Sequence, residues 1–294
     1  MQRDLFSGPT RASAAVAKPA AKSRARFSPR DYQQTAIDNT FRLFEQGSPG
    51  VLVVQPTGSG KTVTGTLVAE RWIDQGPNYH VMICAHERQL VSQFAEEVES
   101  ILGLRPAIEM ADSRVAWGGK PRIIVSSRQT LMENKAGNSR LHRFDRSKNW
   151  LLLVDEAHRW KRGLKSCRHI LEWFEGNPLS RRLGLTATPE RGDSVSLAGI
   201  LPDIGLDYRL YDVFGGPSAV NDGWAVPYRQ AFVTVEGVEW KDVRDVAGDF
   251  NDEDLERLLS ERETILSMVR PTIDLVGDRR TIVFSPTAAM ARRV

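Results

Sequence analysis

The sequence predicts an α/β fold: a parallel sheet covered by helices on both faces, followed by the opening of a second, smaller lobe of the same kind. Three observations predict it. Short apolar runs bounded by turn residues alternate along the chain with longer stretches whose apolar residues recur at i, i+3 and i+4. Strands and helices in alternation are joined by crossovers, which keep successive strands parallel and lay helices against the sheet. The residues with the most distinctive chemistry fall at the ends of the apolar runs, where open parallel sheets bind their ligands.

Residues 1–26 carry Arg3, Arg11, Lys18, Lys22, Arg24 and Arg26 against Asp4 alone, with almost nothing apolar at regular spacing. Such a segment cannot bury enough surface to fold and is expected as a disordered basic tail. An Arg-rich, acid-poor opening also fits a transit peptide. The first lobe is expected over 27–213. Residues 51–54, 80–85, 123–126, 151–154 and 182–186 each read as a buried strand. Residues 62–73 and 88–102 read as amphipathic helices. After Asp212 the character changes. Phe214-Gly215-Gly216-Pro217 breaks the pattern and opens a linker over 214–227, with a short helix expected at 218–223 and ended by Gly223. Pro227 leads into an alternating strand at 228–235, then an acidic stretch at 248–260, a helix to about Leu275 and a buried strand at 281–285. Residues 228–294 therefore read as the start of a second lobe, too short to complete a sheet like the first. No internal repeat is visible.

Composition removes several function classes. Apolar residues make up 41% of the 294 and charged residues 26%, as in soluble globular chains. No apolar stretch approaches the roughly 20 residues of a membrane span, and no signal-peptide pattern opens the chain, so a membrane protein is excluded. Cys84 and Cys167 are too few for a disulfide scaffold, which points to a reducing, cytoplasmic location. Cys167-Arg168-His169 lacks the ligand spacing of a structural zinc site. The net charge of +3 is deceptive, because the tail supplies more than all of it. Any nucleic-acid site must then be a local patch rather than a general basic field.

Pro56-Thr57-Gly58-Ser59-Gly60-Lys61-Thr62 follows one predicted strand and opens a helix. A phosphate-binding loop needs that context: Thr57, Gly58, Ser59 and Gly60 let the backbone wrap an anion that also meets the helix N-terminus. Lys61 would reach the β- and γ-phosphates of ATP, and the Thr62 hydroxyl would ligate Mg²⁺. The strict pattern has Gly where Gln55 stands. A second apolar strand runs directly into Asp155-Glu156-Ala157-His158. Asp155 would hold the Mg²⁺ and Glu156 would polarise the attacking water as general base.

Phosphate loop, Asp-Glu-Ala-His box and Thr186-Ala187-Thr188-Pro189, in this order, resemble the superfamily 2 helicases and nucleic-acid translocases. Arg30-Asp31-Tyr32-Gln33 resembles the family's Arg-Pro-Tyr-Gln element, in which Gln33 would read the adenine edge and Arg30 would line the nucleotide site; Asp31 replaces the usual proline. Ala85-His86-Glu87-Arg88-Gln89-Leu90 and Ser127-Arg128-Gln129-Thr130-Leu131 resemble elements that line the nucleic-acid track, which makes His86, Arg88 and Gln129 candidate contacts. Thr281-Ile282-Val283-Phe284-Ser285 resembles motif IV of the second lobe. The resemblance implies a RecA-like P-loop NTPase lobe followed by an incomplete second RecA-like lobe, with Thr186, Thr188 and His158 linking the ATP site to the track. The segment 30–33, Ala187-Thr188-Pro189-Glu190-Arg191 and the segment 219–227 are most similar to the type III restriction-subunit branch, which acts mainly on DNA, so DNA is favoured over RNA.

The resemblance also implies a deficit. The family's motif VI supplies arginines to the γ-phosphate, and the sequence reaches Val294 just past motif IV. An arginine finger contributes roughly 10³–10⁵ in rate, so weak turnover is expected of this chain, either as a truncated product or as one completed by another polypeptide. The expected function is an ATP- and Mg²⁺-dependent helicase or translocase. A motor that moves on duplex DNA without unwinding it and a non-hydrolysing ATP- and nucleic-acid-binding module stay open beside it. Lys161, Lys165 and Arg168 would share a helical face that grips phosphates or is simply solvated. Trp72 and Trp173 read as core, and Trp117 as a candidate for base stacking.

Overall fold

The computed structural model describes residues 28–85, 88–110, 113–115, 121–132, 139–189, 196–212, 214–232, 243–246, 249–260, 262–285 and 287–292. The basic tail expected at 1–26 lies outside them. The chain divides into two compact units, Met1–Val226 and Pro227–Val294.

In the first unit the order is α1 (Asp31–Glu45), β1 (Gly50–Val54), α2 (Lys61–Ile73), β2 (Tyr79–Ala85), α3 (Arg88–Leu102), β3 (Ala107–Glu109), β4 (Ile123–Ser127), α4 (Arg128–Leu131), β5 (Asn149–Val154), α5 (Lys165–Glu175), β6 (Arg181–Thr186) and β7 (Asp203–Asp207). The seven strands form one sheet in the order β3-β4-β2-β5-β6-β1-β7, and every pairing is parallel. The five strands and two helices expected from the sequence are all present. Alternation along each strand sorts the core into two layers. Val51, Val53, Ile83, Leu151, Leu153 and Leu185 meet α1, α2 and α3 on one face. Leu52, Val54, Met82, Leu152 and Val154 meet α5 on the other through Ile170, Leu171, Trp173 and Phe174. Trp72 and Trp173 are both buried in these layers.

Trp72 also spans strands, since its indole Nε1–H donates to the carbonyls of His80 and Asn149, each at 3.1 Å. Trp72→Phe removes that shared donor and leaves two carbonyls one partner short. We expect a loss of about 1–3 kcal/mol in urea unfolding, with nucleotide affinity unchanged.

Of the elements that the sequence reading passes over, the helices α1 and α5 are core, whereas the strands β3 and β7 are peripheral. β3 has three residues, and β7 contains Gly205 between charged residues; both are sheet edges, where one side of the ladder faces outward. Residues 218–223 form successive turns rather than the expected short helix. Asn221 explains the difference, because its side-chain amide donates to the carbonyls of Asp212 at 3.2 Å and Gly216 at 2.8 Å, holding the backbone in a local turn.

The second unit holds a two-stranded antiparallel ribbon of β8 (Asp245–Val246) and β9 (Asp249–Phe250), then α6 (Asp252–Leu259), α7 (Arg262–Val276) and α8 (Ala288–Ala291). The helix expected to about Leu275 is present as α7. Two expected strands are not. Residues 228–232 and 281–285 are irregular, with Phe232 and Phe284 almost fully exposed; residues 233–235 lie outside the described set. A strand exists only through its ladder, and among the described residues no strand pairs with either segment. No described helix is long and apolar enough to cross a membrane.

Candidate active site

β1 delivers the chain to the loop Thr57–Gly58–Ser59–Gly60, and α2 starts at Lys61. Gly58 and Gly60 have φ of +80° and +84°, which side chains rarely tolerate, and a Cβ on Gly60 would lie 2.7 Å from Gln33 Nε2. Gly60 is the N-cap of α2. No side chain caps the helix, and no acid stands in its first turn. Lys61 instead puts a cation at the positive end of the helix dipole. That arrangement is unfavourable alone and complementary to a bound anion, so the residues present fit a triphosphate.

α1 braces the loop from behind. Tyr32 O–H donates to Ser59 O at 2.7 Å, and Gln33 Nε2 donates to Ser59 O at 3.2 Å and Gly60 O at 3.3 Å. The other end of the Gln33 amide accepts from Arg30 N–H at 2.9 Å, which satisfies the backbone donor of the α1 N-cap residue, and Gln33 is only 2% exposed. Both ends of Gln33 are thus engaged by backbone. Asp31, in place of the family's proline, is the first helical residue, where an acid favours the dipole. The Arg30 guanidinium lies 4.4 Å over the ring of Trp224.

β5 delivers the acids to the same sheet edge. Glu156 adopts φ +49° and ψ +54°, the single non-glycine residue with positive φ among the described residues. That left-handed backbone costs on the order of 1 kcal/mol and aims consecutive carboxylates in different directions. Asp155 Oδ1 accepts the Glu156 N–H at 3.0 Å. β6 lies between β5 and β1, so Thr186 at its end stands between acids and phosphate loop. Gln55 N–H donates to Thr186 O at 2.9 Å, tying the loop's start to that strand. His158 Nδ1 lies 2.9 Å from Thr186 Oγ1, 3.4 Å from Thr188 Oγ1 and 3.3 Å from Glu156 Oε2. The Thr186 hydroxyl can donate to Thr188 O at 3.2 Å, which leaves it to accept from an Nδ1–H tautomer of His158. The threonine segment thus reaches the carboxylates through His158.

Burial first, and then the neighbouring Glu156 charge, raise the Asp155 pKa above the ordinary carboxylate value, against the opposing pull of the Glu156 N–H, Lys61 and His158. A third acid joins them. Glu97 of α3 is pushed up by burial, while its hydrogen bond to Thr62 lowers it and Asp155 raises it. Sequence motifs gave no sign of Glu97; only its place on the α3 face toward α2 could have. Thr62, Asp155 and Glu97 supply the hard oxygen donors that Mg²⁺ prefers. Among the described residues no group of three His, Cys, Asp or Glu could hold a metal ion.

An acid raised in the folded state destabilises the fold wherever it is ionised. The cost is complete above its folded pKa and vanishes as pH falls to the ordinary carboxylate range. Asp155→Asn is therefore expected to melt higher than the parent at pH 8, with the gain shrinking toward pH 4. Thermal melts across that range without metal check it, and a gain that grows on acidification contradicts it.

The remaining candidates are more scattered. Gln129 is exposed on α4, whereas Arg128 beside it turns inward to Arg159 O at 3.2 Å and Cys167 Sγ at 3.6 Å. His86, the Arg88 side chain, Trp117, Glu190 and Arg191 lie outside the described residues. The expected face of Lys161, Lys165 and Arg168 does not form, because α5 begins only at Lys165. Gly163 lies in the turn before it, and Arg162 is drawn to Glu175 and to Gly199 O.

IRC3 of Saccharomyces cerevisiae, named as an ATP-dependent helicase, is 29% identical over 243 residues, covering 80% of this chain and 33% of that protein. The type I restriction enzyme EcoAI endonuclease subunit of Escherichia coli is 26% identical, covering 71% of this chain and 24% of its own. The ATP-dependent DNA helicase mph1 of Aspergillus fumigatus is 29% identical, covering 60% and 16%. The chain thus spans a third or less of the length of these curated relatives. The model of the family described as type III restriction enzyme, res subunit, matches residues 26–191, the stretch that contains the phosphate loop, the Asp-Glu-Ala-His box and the threonine segment, and the chain belongs to that family.

Proposed function

We propose that this chain carries the ATP site of a nucleic-acid motor, a helicase or translocase, and that the motor works on DNA in preference to RNA. One observation carries the reading: a phosphate loop with an uncapped, lysine-led helix and a pair of carboxylates stand at one edge of a parallel sheet, with a threonine segment on the strand between them. In this reading Thr57, Gly58, Ser59 and Gly60 cradle the phosphates, Lys61 offsets their charge, and Thr62 and Asp155 hold Mg²⁺. Glu156 takes a proton from the water that attacks the γ-phosphorus, while the bond to the β–γ bridging oxygen breaks and ADP leaves. Arg30 faces the base, and Gln33 braces the loop. His158, Thr186 and Thr188 relay the state of the acids toward the nucleic-acid side, where His86, Arg88 and Gln129 are the proposed contacts. The DNA preference draws on the restriction-subunit family and on a relative named as a DNA helicase.

Steady-state phosphate release, measured alone and with single-stranded DNA, duplex DNA and RNA, tests the reading. Stimulation by DNA supports it; stimulation by RNA alone overturns the substrate, and ATP binding that no polymer converts into turnover favours the non-hydrolysing module. A strand-displacement assay then separates unwinding from translocation on the duplex.

A further inference from the structure

The loop's carbonyls would repel a triphosphate if they faced it, so something must turn them away. In a trans peptide the C=O and the following N–H point in opposite directions. Holding the carbonyls of Ser59 and Gly60 on the α1 side therefore aims the N–H groups of Gly60 and Lys61 toward the phosphate side. The Ser59 carbonyl is held by the Tyr32 hydroxyl, at 2.7 Å, and the Gln33 amide, at 3.2 Å, whereas the Gly60 carbonyl accepts Thr64 N–H at 3.0 Å as the first bond of α2, with the Thr64 hydroxyl and the Gln33 amide each at 3.3 Å.

Tyr32 is itself over-determined. Its ring stacks on Tyr208 with centroids 4.4 Å apart and planes 10° from parallel, and meets the edge of Trp224 at 6.2 Å. Arg30 Nη1 donates to the Tyr32 oxygen at 2.9 Å, so the phenol's own proton is left for Ser59 O. Tyr208 O–H donates to Asp222 at 2.8 Å, which anchors the far side of the stack. A side chain locked on three sides and presenting one proton to one loop carbonyl is suited to positioning that loop.

We propose that Tyr32 is a positioning residue for phosphate binding, acting through the Ser59 carbonyl and indifferent to the base. The proposal rests on the ATP-binding reading of the loop. It predicts that Tyr32→Phe, which keeps the ring on Tyr208 and removes only the hydroxyl, weakens ATP, GTP and inorganic tripolyphosphate by the same factor, about three- to tenfold. Titration calorimetry of the full chain with each ligand in the presence of Mg²⁺ measures this. Ile37→Val, a core change in the same helix, controls for lost stability and is expected to bind like the parent.

A uniform loss confined to Tyr32→Phe supports the proposal. Parent-like binding by Tyr32→Phe overturns it, because the ring alone would then account for the residue. A loss that alters the preference for ATP over GTP overturns it too, by placing the effect at the base. So does an equal loss in Ile37→Val. If the parent binds none of the three ligands, the ATP-binding reading itself has failed, a result distinct from the others.

Discussion

Glu156→Gln is expected to slow ATP turnover about 10²–10⁴-fold, the usual contribution of a positioned general base, while ATP binding stays within about twofold of the parent on the same separation of chemistry from binding. Glutamine keeps the shape and the strained backbone, and its carbonyl oxygen can still accept from His158 where Glu156 Oε2 now lies at 3.3 Å. What disappears is basicity and one negative charge. The lost charge acts in favour of binding, because Glu156 is one of the groups that raise the Asp155 pKa. Without it Asp155 ionises more readily and holds a divalent cation at least as well. Turnover and binding should therefore separate cleanly, in single-turnover phosphate release on one side and calorimetric ATP titration on the other. Turnover that survives within tenfold would remove Glu156 from the role of base; a parallel collapse of affinity would make it a binding group instead.

The two halves of this site were legible because each is written as a local pattern on a buried strand. β1 and β5 are apolar on both faces, so their runs stand out, and the polar residues that interrupt them at Gln55 and Asp155 mark the sheet's edge. The edge strands lack that signature. β7, with Asp203, Gly205 and Asp207, is indistinguishable from a loop until β1 is seen to pair with it. The second unit misled for the opposite reason: residues 281–285 have the composition of a buried strand, but composition cannot supply the neighbour that a strand needs.

Within the site, the legible residues were those whose types are demanded by chemistry. The residues that position them were not, because their partners are remote in sequence. Nothing about Tyr32 announces that it will stack on Tyr208 or reach Ser59. The resemblance gives Gln33 to the base, yet its amide spends its hydrogen bonds on the loop and on the Arg30 backbone. Glu97 belongs to no motif and enters only because α3 packs beside α2.

Lys61→Ala should have the largest effect on nucleotide binding. Losing the side-chain cation at the uncapped start of α2 leaves the phosphate charge to the backbone dipoles and the Mg²⁺, and truncating one partner of such a pair costs about 2–5 kcal/mol, roughly 30- to 5,000-fold in affinity. The unliganded fold should not suffer. Alanine is the better helix former, and the variant no longer sets a positive charge against the positive end of the helix dipole, a gain of about 0.3–1 kcal/mol. Against that, Asp155 loses a cation that helps keep it ionised, so apo stability should stay near the parent's. The loss therefore falls on the liganded state alone, and a thermal melt resolves both states at once. At an ATP concentration about 100 times the parent's Kd, binding stabilises the parent by about 2.7 kcal/mol, and a variant with a 100-fold weaker Kd by only about 0.4 kcal/mol. An ATP-induced shift of equal size in both proteins would mean that the nucleotide does not engage Lys61. A variant that melts far below the parent without ATP would mean that the lysine is structural. Only an unchanged apo melt with a lost ATP shift makes the uncapped helix start an anion site in which Lys61 serves the ligand and not the fold.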